Sequence, residues 1–201
     1  EHKRASLGLL ATLVLLAALP LLSLNMFLPS LGVMASEFIV GYNAMALTVS
    51  TYLLFTAFIQ LIAGPAADRY GRKPIVLIGL LIFALSSLGC AYAKSYEVFF
   101  LWRALQAAVA TAGVLSRAIV GDIFTPQSSA SVLGYIAMGM SVAPILGPMI
   151  GGVMGETLGW RANFYVYALC ALGLILQVFF LLPETTSVRK KPMKAFVRSY
   201  F

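Results

Sequence analysis

The chain has 201 residues, of which 61% are hydrophobic and only 10% charged, with a mean hydropathy of +0.93. A soluble domain carries about 25% charge, and no water-soluble fold of this size hides so much apolar surface, so lipid is the solvent for most of these side chains. The net charge of +7 does not point to nucleic acid, because the basic residues cluster between apolar runs, as the flanks of membrane spans do.

A membrane-crossing helix needs about 20 apolar residues. Six such stretches follow one another, at 7–33, 44–63, 75–93, 98–119, 132–154 and 164–182. The first has a basic start, His2-Lys3-Arg4, as a signal peptide would, but its apolar stretch is too long for one and reads as a retained helix. The expectation is an all-α membrane protein, with 1–188 as a six-helix transmembrane domain and 189–201 as the start of a cytoplasmic loop. Ten of the 14 Lys and Arg fall on the side of the two termini and two, Lys94 and Arg161, on the other. That bias puts both ends of this segment in the cytoplasm. Arg103 and Arg117 belong to the fourth span.

The turn between spans 2 and 3, "GPAADRYGRKP", packs four charges into six residues: Asp68, Arg69, Arg72 and Lys73. Gly64 and Gly71 allow a sharp turn, and Pro74 suits the first turn of the next helix. Asp68 is expected near that helix's N-terminus, where the dipole favours a carboxylate. Gly64 and Gly71 are seven residues apart, as are Gly152 and Gly159, the latter followed by Trp160-Arg161. Each pair follows the second helix of a triplet, on opposite sides of the membrane, as an inverted repeat requires.

Three mid-span features stand out. Arg103 in the fourth span costs at least a few kcal/mol to keep in lipid unless it faces a cavity or partner, or snorkels to the outer interface. Gln106 lies one turn on. Asn25 sits in span 1 at similar depth, so the two face one cavity or Asn25 makes a helix–helix hydrogen bond. Tyr52 is the polar candidate of span 2 for the same pathway. In span 5, Gly134, Gly139, Ala143, Gly147, Gly151 and Gly152 permit close helix approach, with Pro148 bending the helix; their face is expected to meet a missing half or a second copy. Trp102, Tyr92, Tyr96, Trp160 and Tyr165 mark an outer aromatic belt. Cys90 and Cys170 read as small core hydrophobes. There is no nucleophile triad, phosphate loop or metal spacing, so the chain reads as no enzyme.

Gly64-x-x-x-Asp68-Arg69-x-Gly71-Arg72-Lys73 resembles the loop 2–3 signature of the major facilitator superfamily. The segment around Asn25 and the Arg103-x-x-Gln106 pair resemble the bicyclomycin/chloramphenicol-type drug:proton antiporters of that family. The resemblance implies one half of a twelve-helix transporter, six helices as two inverted three-helix repeats. It further implies a cytoplasmic gate in which Asp68 meets cations, Arg117 among them, with Asp122 completing the cluster. Gly134, Gly147, Pro148, Gly151 and Gly152 are similar to the antiporter motif of span 5, which implies export by exchange. The implied activity is proton-coupled export of drugs or small amphipathic molecules, without a cofactor, across a bacterial inner membrane. The partners implied are lipid, a small-molecule substrate and a C-terminal half or second copy. Asn25 stands where those exporters carry Asp, and Asn holds no proton. An uncoupled or metabolite carrier of the same family, or a non-transporting membrane assembly subunit, therefore remains as an alternative.

Overall fold

The computed structural model describes residues 7–184. The basic start His2-Lys3-Arg4 and the tail 189–201 lie outside the described residues. Among those described, all regular structure is helical, and six segments are long and apolar enough to span a membrane: Leu7–Glu37, Tyr42–Tyr70, Arg72–Tyr92, Tyr96–Ile123, Pro126–Thr157 and Arg161–Leu181. The six expected spans are all present.

The helices outrun the apolar stretches. Helix α3 (Tyr42–Tyr70) passes Ala63 and continues through Gly64 and Asp68, and Gly71 alone separates it from α4 (Arg72–Tyr92). Gly64 is therefore a helical residue, not part of the turn. Span 5, α7, runs Pro126–Thr157, starting well before Val132. Hydropathy falls where headgroups begin, but backbone hydrogen bonding does not end there. Caps set the real limits: the Thr125 side chain accepts from Ser128 N ahead of Pro126, a proline suited to a first helical position.

Two spans are broken. Span 1 comprises α1 (Leu7–Asn25), a 3₁₀ turn at Leu28–Ser30 and α2 (Leu31–Glu37). Pro29 lacks the N–H that would bond the Asn25 carbonyl, so the ladder stops there. Span 4 comprises α5 (Tyr96–Gln106), a 3₁₀ turn at Ala107–Val109 and α6 (Ala110–Ile123). Span 6 is α8 (Arg161–Leu181). Span 5 is one uninterrupted helix despite Pro144 and Pro148.

The most extensive seams join α4 to α8 and α1 to α7. The second explains the glycines of span 5. Gly139, Ala143, Gly147, Gly151 and Gly155 recur every fourth residue and form one ridge. A Cβ at Gly139 would come within 2.5 Å of Val14 Cγ1, at Gly147 within 3.3 Å of Asn25 Cβ, and at Gly155 within 2.5 Å of Ser30 Oγ; at Gly151 it would overlap the Met26 carbonyl. This corrects the expected placement: the small-residue face meets span 1 of the same chain. Gly134 has open space around it, and Gly152 only ordinary contact with Pro29. The uncovered sides of α3 and α7 carry Leu53, Leu54, Phe55, Phe58, Ile145, Met149 and Val153, an apolar surface suited to lipid or to further helices.

Candidate functional site

The first cluster lies at the end of the bundle where α1 begins and α8 ends. Gly71 takes φ +98°, a conformation open to glycine, and so turns α3 into α4. Arg72 is the hub. Its Nε lies 2.5 Å from Asp122 Oδ2, its Nη2 donates to Asp122 Oδ1 at 3.2 Å, and Asp68 Oδ1 stands 3.8 Å away. The Arg72 backbone N–H donates to Glu184 Oε1 at 3.0 Å. Lys73 Nζ donates to Phe179 O at 2.7 Å, across the Phe179 ring. One turn thus ties together the ends of spans 2, 3, 4 and 6.

Three expectations change here. The carboxylate at the N-terminus of α4 is that of Glu184, while Asp68 sits in the last turn of α3 with 70% of its side chain exposed. Arg117 does not join Asp68; its Nε donates to Gly113 O of its own helix. Asp122 does join the cluster, through Arg72. The cations are not equivalent either. Arg69 rests on the Tyr70 ring at the surface, whereas the Arg72 side chain is only 16% exposed. Arg72→Gln is therefore expected to destabilise this end by about 1–3 kcal/mol, the scale of a charged hydrogen bond. Arg69→Gln should stay within about 0.5 kcal/mol. Thiol labelling of Ala118→Cys in each background checks this: a rise with Arg72→Gln and none with Arg69→Gln is the expected result.

The second cluster is interior. Arg103 is fully buried, which rules out snorkelling. Its Nη1 donates to Gln106 Oε1 at 2.6 Å and its Nη2 to Ser23 O at 3.1 Å. The guanidinium lies 4.2 Å from the ring centroids of both Phe27 and Tyr52. Gln106 Nε2 passes the chain on to Ser87 Oγ at 2.7 Å. The Tyr52 hydroxyl lies 2.9 Å from Ser23 Oγ and 3.2 Å from Pro20 O. Spans 1, 2, 3 and 4 meet at this one polar chain. Arg103, Gln106 and Tyr52 are brought together as expected.

Asn25 is not part of it. Its Nδ2 donates to Leu21 O at 2.7 Å within α1, and its Cβ faces Gly147 of α7. Arg103 meets span 1 through Ser23 and Phe27 instead. Two residues of similar depth thus serve different neighbours, which depth along a sequence cannot reveal. Ser23 and Ser87 were missed because a lone serine in an apolar run carries no signal by itself. Asn25 is half-buried on the less covered stripe of α1 that includes Ala11, Leu15, Ala18 and Leu22.

The family model described as the Major Facilitator Superfamily matches residues 13–200. The chain is 33% identical over 186 residues to the bicyclomycin resistance protein homolog of Haemophilus influenzae, covering 92% of this chain and 47% of that protein. It is 36% identical to a chloramphenicol resistance protein of Pseudomonas aeruginosa, over 84% of this chain and 41% of the relative. Multidrug resistance protein D of Escherichia coli is 31% identical, over 92% and 48%. Among solved structures, a D-xylose–proton symporter superposes with a TM-score of 0.79 at 15% identity, covering 96% of this chain and 52% of that one. A peptide transporter superposes at 0.80 and 18% identity, over 99% and 45%. The chain spans about half the length of the curated relatives it matches.

Proposed function

The chain belongs to the Major Facilitator Superfamily, a family of membrane transporters rather than enzymes, and from that premise we propose that it supplies one six-helix half of an exporter. The complete protein moves drugs or other small amphipathic molecules out of the cell by alternating access, in exchange for protons. The observation that carries this reading is the 31–36% identity, over most of the chain, to relatives named for bicyclomycin, chloramphenicol and multidrug resistance. The other half, or a second copy, closes the substrate path. The Lys and Arg bias supports placing the end that holds the Arg72 cluster in the cytoplasm of a bacterial inner membrane. Arg72, with two acids in reach, then serves as the inner gate.

Asn25 bears on coupling. The acids among the described residues, Glu37, Asp68, Glu97, Asp122, Glu156 and Glu184, all lie at helix ends. None of them sits at mid-span, so this half offers no carboxylate to carry a proton across, and coupling through it is weak. The same observation supports the second reading, an uncoupled carrier. Efflux from vesicles holding the full-length protein, with and without an imposed pH gradient, separates the two. The expected result is export with weak gradient dependence, made stronger by Asn25→Asp. Export that ignores the gradient in both versions selects the uncoupled carrier, and no export of any amphipathic compound defeats the proposal.

A further inference from the structure

At the opposite end of the bundle stands a second charged cluster that the transport reading leaves unused. Trp160 Nε1 donates to Glu37 Oε2 at 2.6 Å, and Arg161 Nη1 meets Glu37 Oε1 at 2.6 Å. Arg161 Nε and Nη2 donate to Ala91 O and Ala93 O at 3.1 and 3.4 Å. Its guanidinium lies 4.2 Å from the Trp160 ring centroid. The whole fork of this arginine is engaged, and it joins the end of span 1, the end of span 3 and the start of span 6.

The cluster is the two-fold counterpart of the one built on Arg72. Gly71 and Gly159 have φ of +98° and +84°, the positive-φ glycines of the described chain. Counting from them, Arg72 matches Trp160, Lys73 matches Arg161 and Ala91 matches Phe179, every pair separated by the same interval as the two glycines. The carbonyl contacts obey that register, and the acid contacts match in kind, with Glu37 and Asp122 three residues out of it. Arg72 and Trp160 each donate to an acid at the end of the other triplet's first span, Asp122 and Glu37. Lys73 and Arg161 each donate to a carbonyl near the C-terminus of the other triplet's third span, Phe179 O and Ala91 O. A cation on those carbonyls also complements the helix dipole.

The two clusters differ in one respect. Arg72 is a flexible side chain with two acids to choose between. Trp160 is a rigid ring, 3% exposed, held edge-on by Phe99 and Phe164 and packed on Phe38. We propose that Glu37, Trp160 and Arg161 form a clamp that stays closed throughout the transport cycle and fixes the two triplets to each other at this end, while Arg72 at the other end exchanges acids. The inference rests on the transport reading for the cycle it refers to, but its test reads distances and not transport.

Spin labels at Val33→Cys and Leu158→Cys, both exposed positions, bracket the clamp in the full-length protein carrying Cys170→Ala. Cys90 is buried and therefore shielded from the label. The expected result is one distance, unchanged by pH or by chloramphenicol. Trp160→Phe keeps the ring but loses the bond to Glu37, and should broaden that distribution at least twofold. Two distances, or a shift with pH or ligand, would mean the clamp opens and would overturn the proposal. A distribution untouched by Trp160→Phe would overturn it as well, since something else then holds the triplets together. Failure of efflux with an unchanged single distance would count against the exporter and not against the clamp.

Discussion

Alanine in place of Gly151 is expected to push spans 1 and 5 apart and to remove most of the folded protein from the membrane. The added methyl would overlap the Met26 carbonyl oxygen. That atom is main chain, at the break of span 1, so no rotamer change relieves the clash. Overpacking of this kind costs about 1–3 kcal/mol where side chains can adjust, and a rigid backbone contact stands at the upper end or beyond. Alanine's better helix propensity returns at most about 1 kcal/mol, so destabilisation wins. Gly134→Ala is the control: it meets nothing within 4 Å and should be neutral or slightly stabilising. Gly147→Ala, 3.3 Å from Asn25 Cβ, belongs between them. Melting temperatures of the full-length protein in detergent, with the amounts recovered from membranes, give the ranking. Equal behaviour of Gly151→Ala and Gly134→Ala would show that the seam yields freely.

The small-residue ridge shows what a sequence can and cannot carry. A small residue every fourth position states that something comes close to that face, but not which helix. The same limit applied to Asn25 and Arg103, whose depths matched while their neighbours did not. The six spans were legible because burial in lipid leaves a long, uninterrupted hydropathy signal. Their ends were not, because the last turns of α3 and α6 are polar but still helical. The Arg72 turn was legible in composition and misassigned in detail, since the acid that reaches the N-terminus of α4 comes from Glu184, far away in sequence. Trp160 read as an aromatic at the membrane surface, yet its neighbours Glu37 and Phe99 bury it.

Replacing Arg103 with methionine is expected to lose about 2–4 kcal/mol of stability and to stop transport, although it removes a charge from a buried site. Burying a cation is expensive, and an isolated guanidinium here would favour its own removal. This one is not isolated. Ser23 O lies near the end of α1, where the broken helix leaves carbonyls without their usual donors, and a cation at such a C-terminus is favoured. Two aromatic faces offset part of the remaining desolvation. Methionine fills a similar volume but leaves Ser23 O and Gln106 Oε1 without donors, at about 1–3 kcal/mol each. Adding Gln106→Leu removes one of those orphans, so the double variant should recover about 1–2 kcal/mol, a coupling of the size neighbouring residues show. Lysine keeps the charge, but its compact ammonium cannot lie flat on both rings while serving two acceptors, and so it should rescue little. Melting of the three full-length variants measures the stability, and efflux from vesicles measures transport. If Arg103→Met melts and transports like the parent, then Pro29 and the packing of Gly151 hold the break in span 1 unaided, and Arg103 has no part in positioning it.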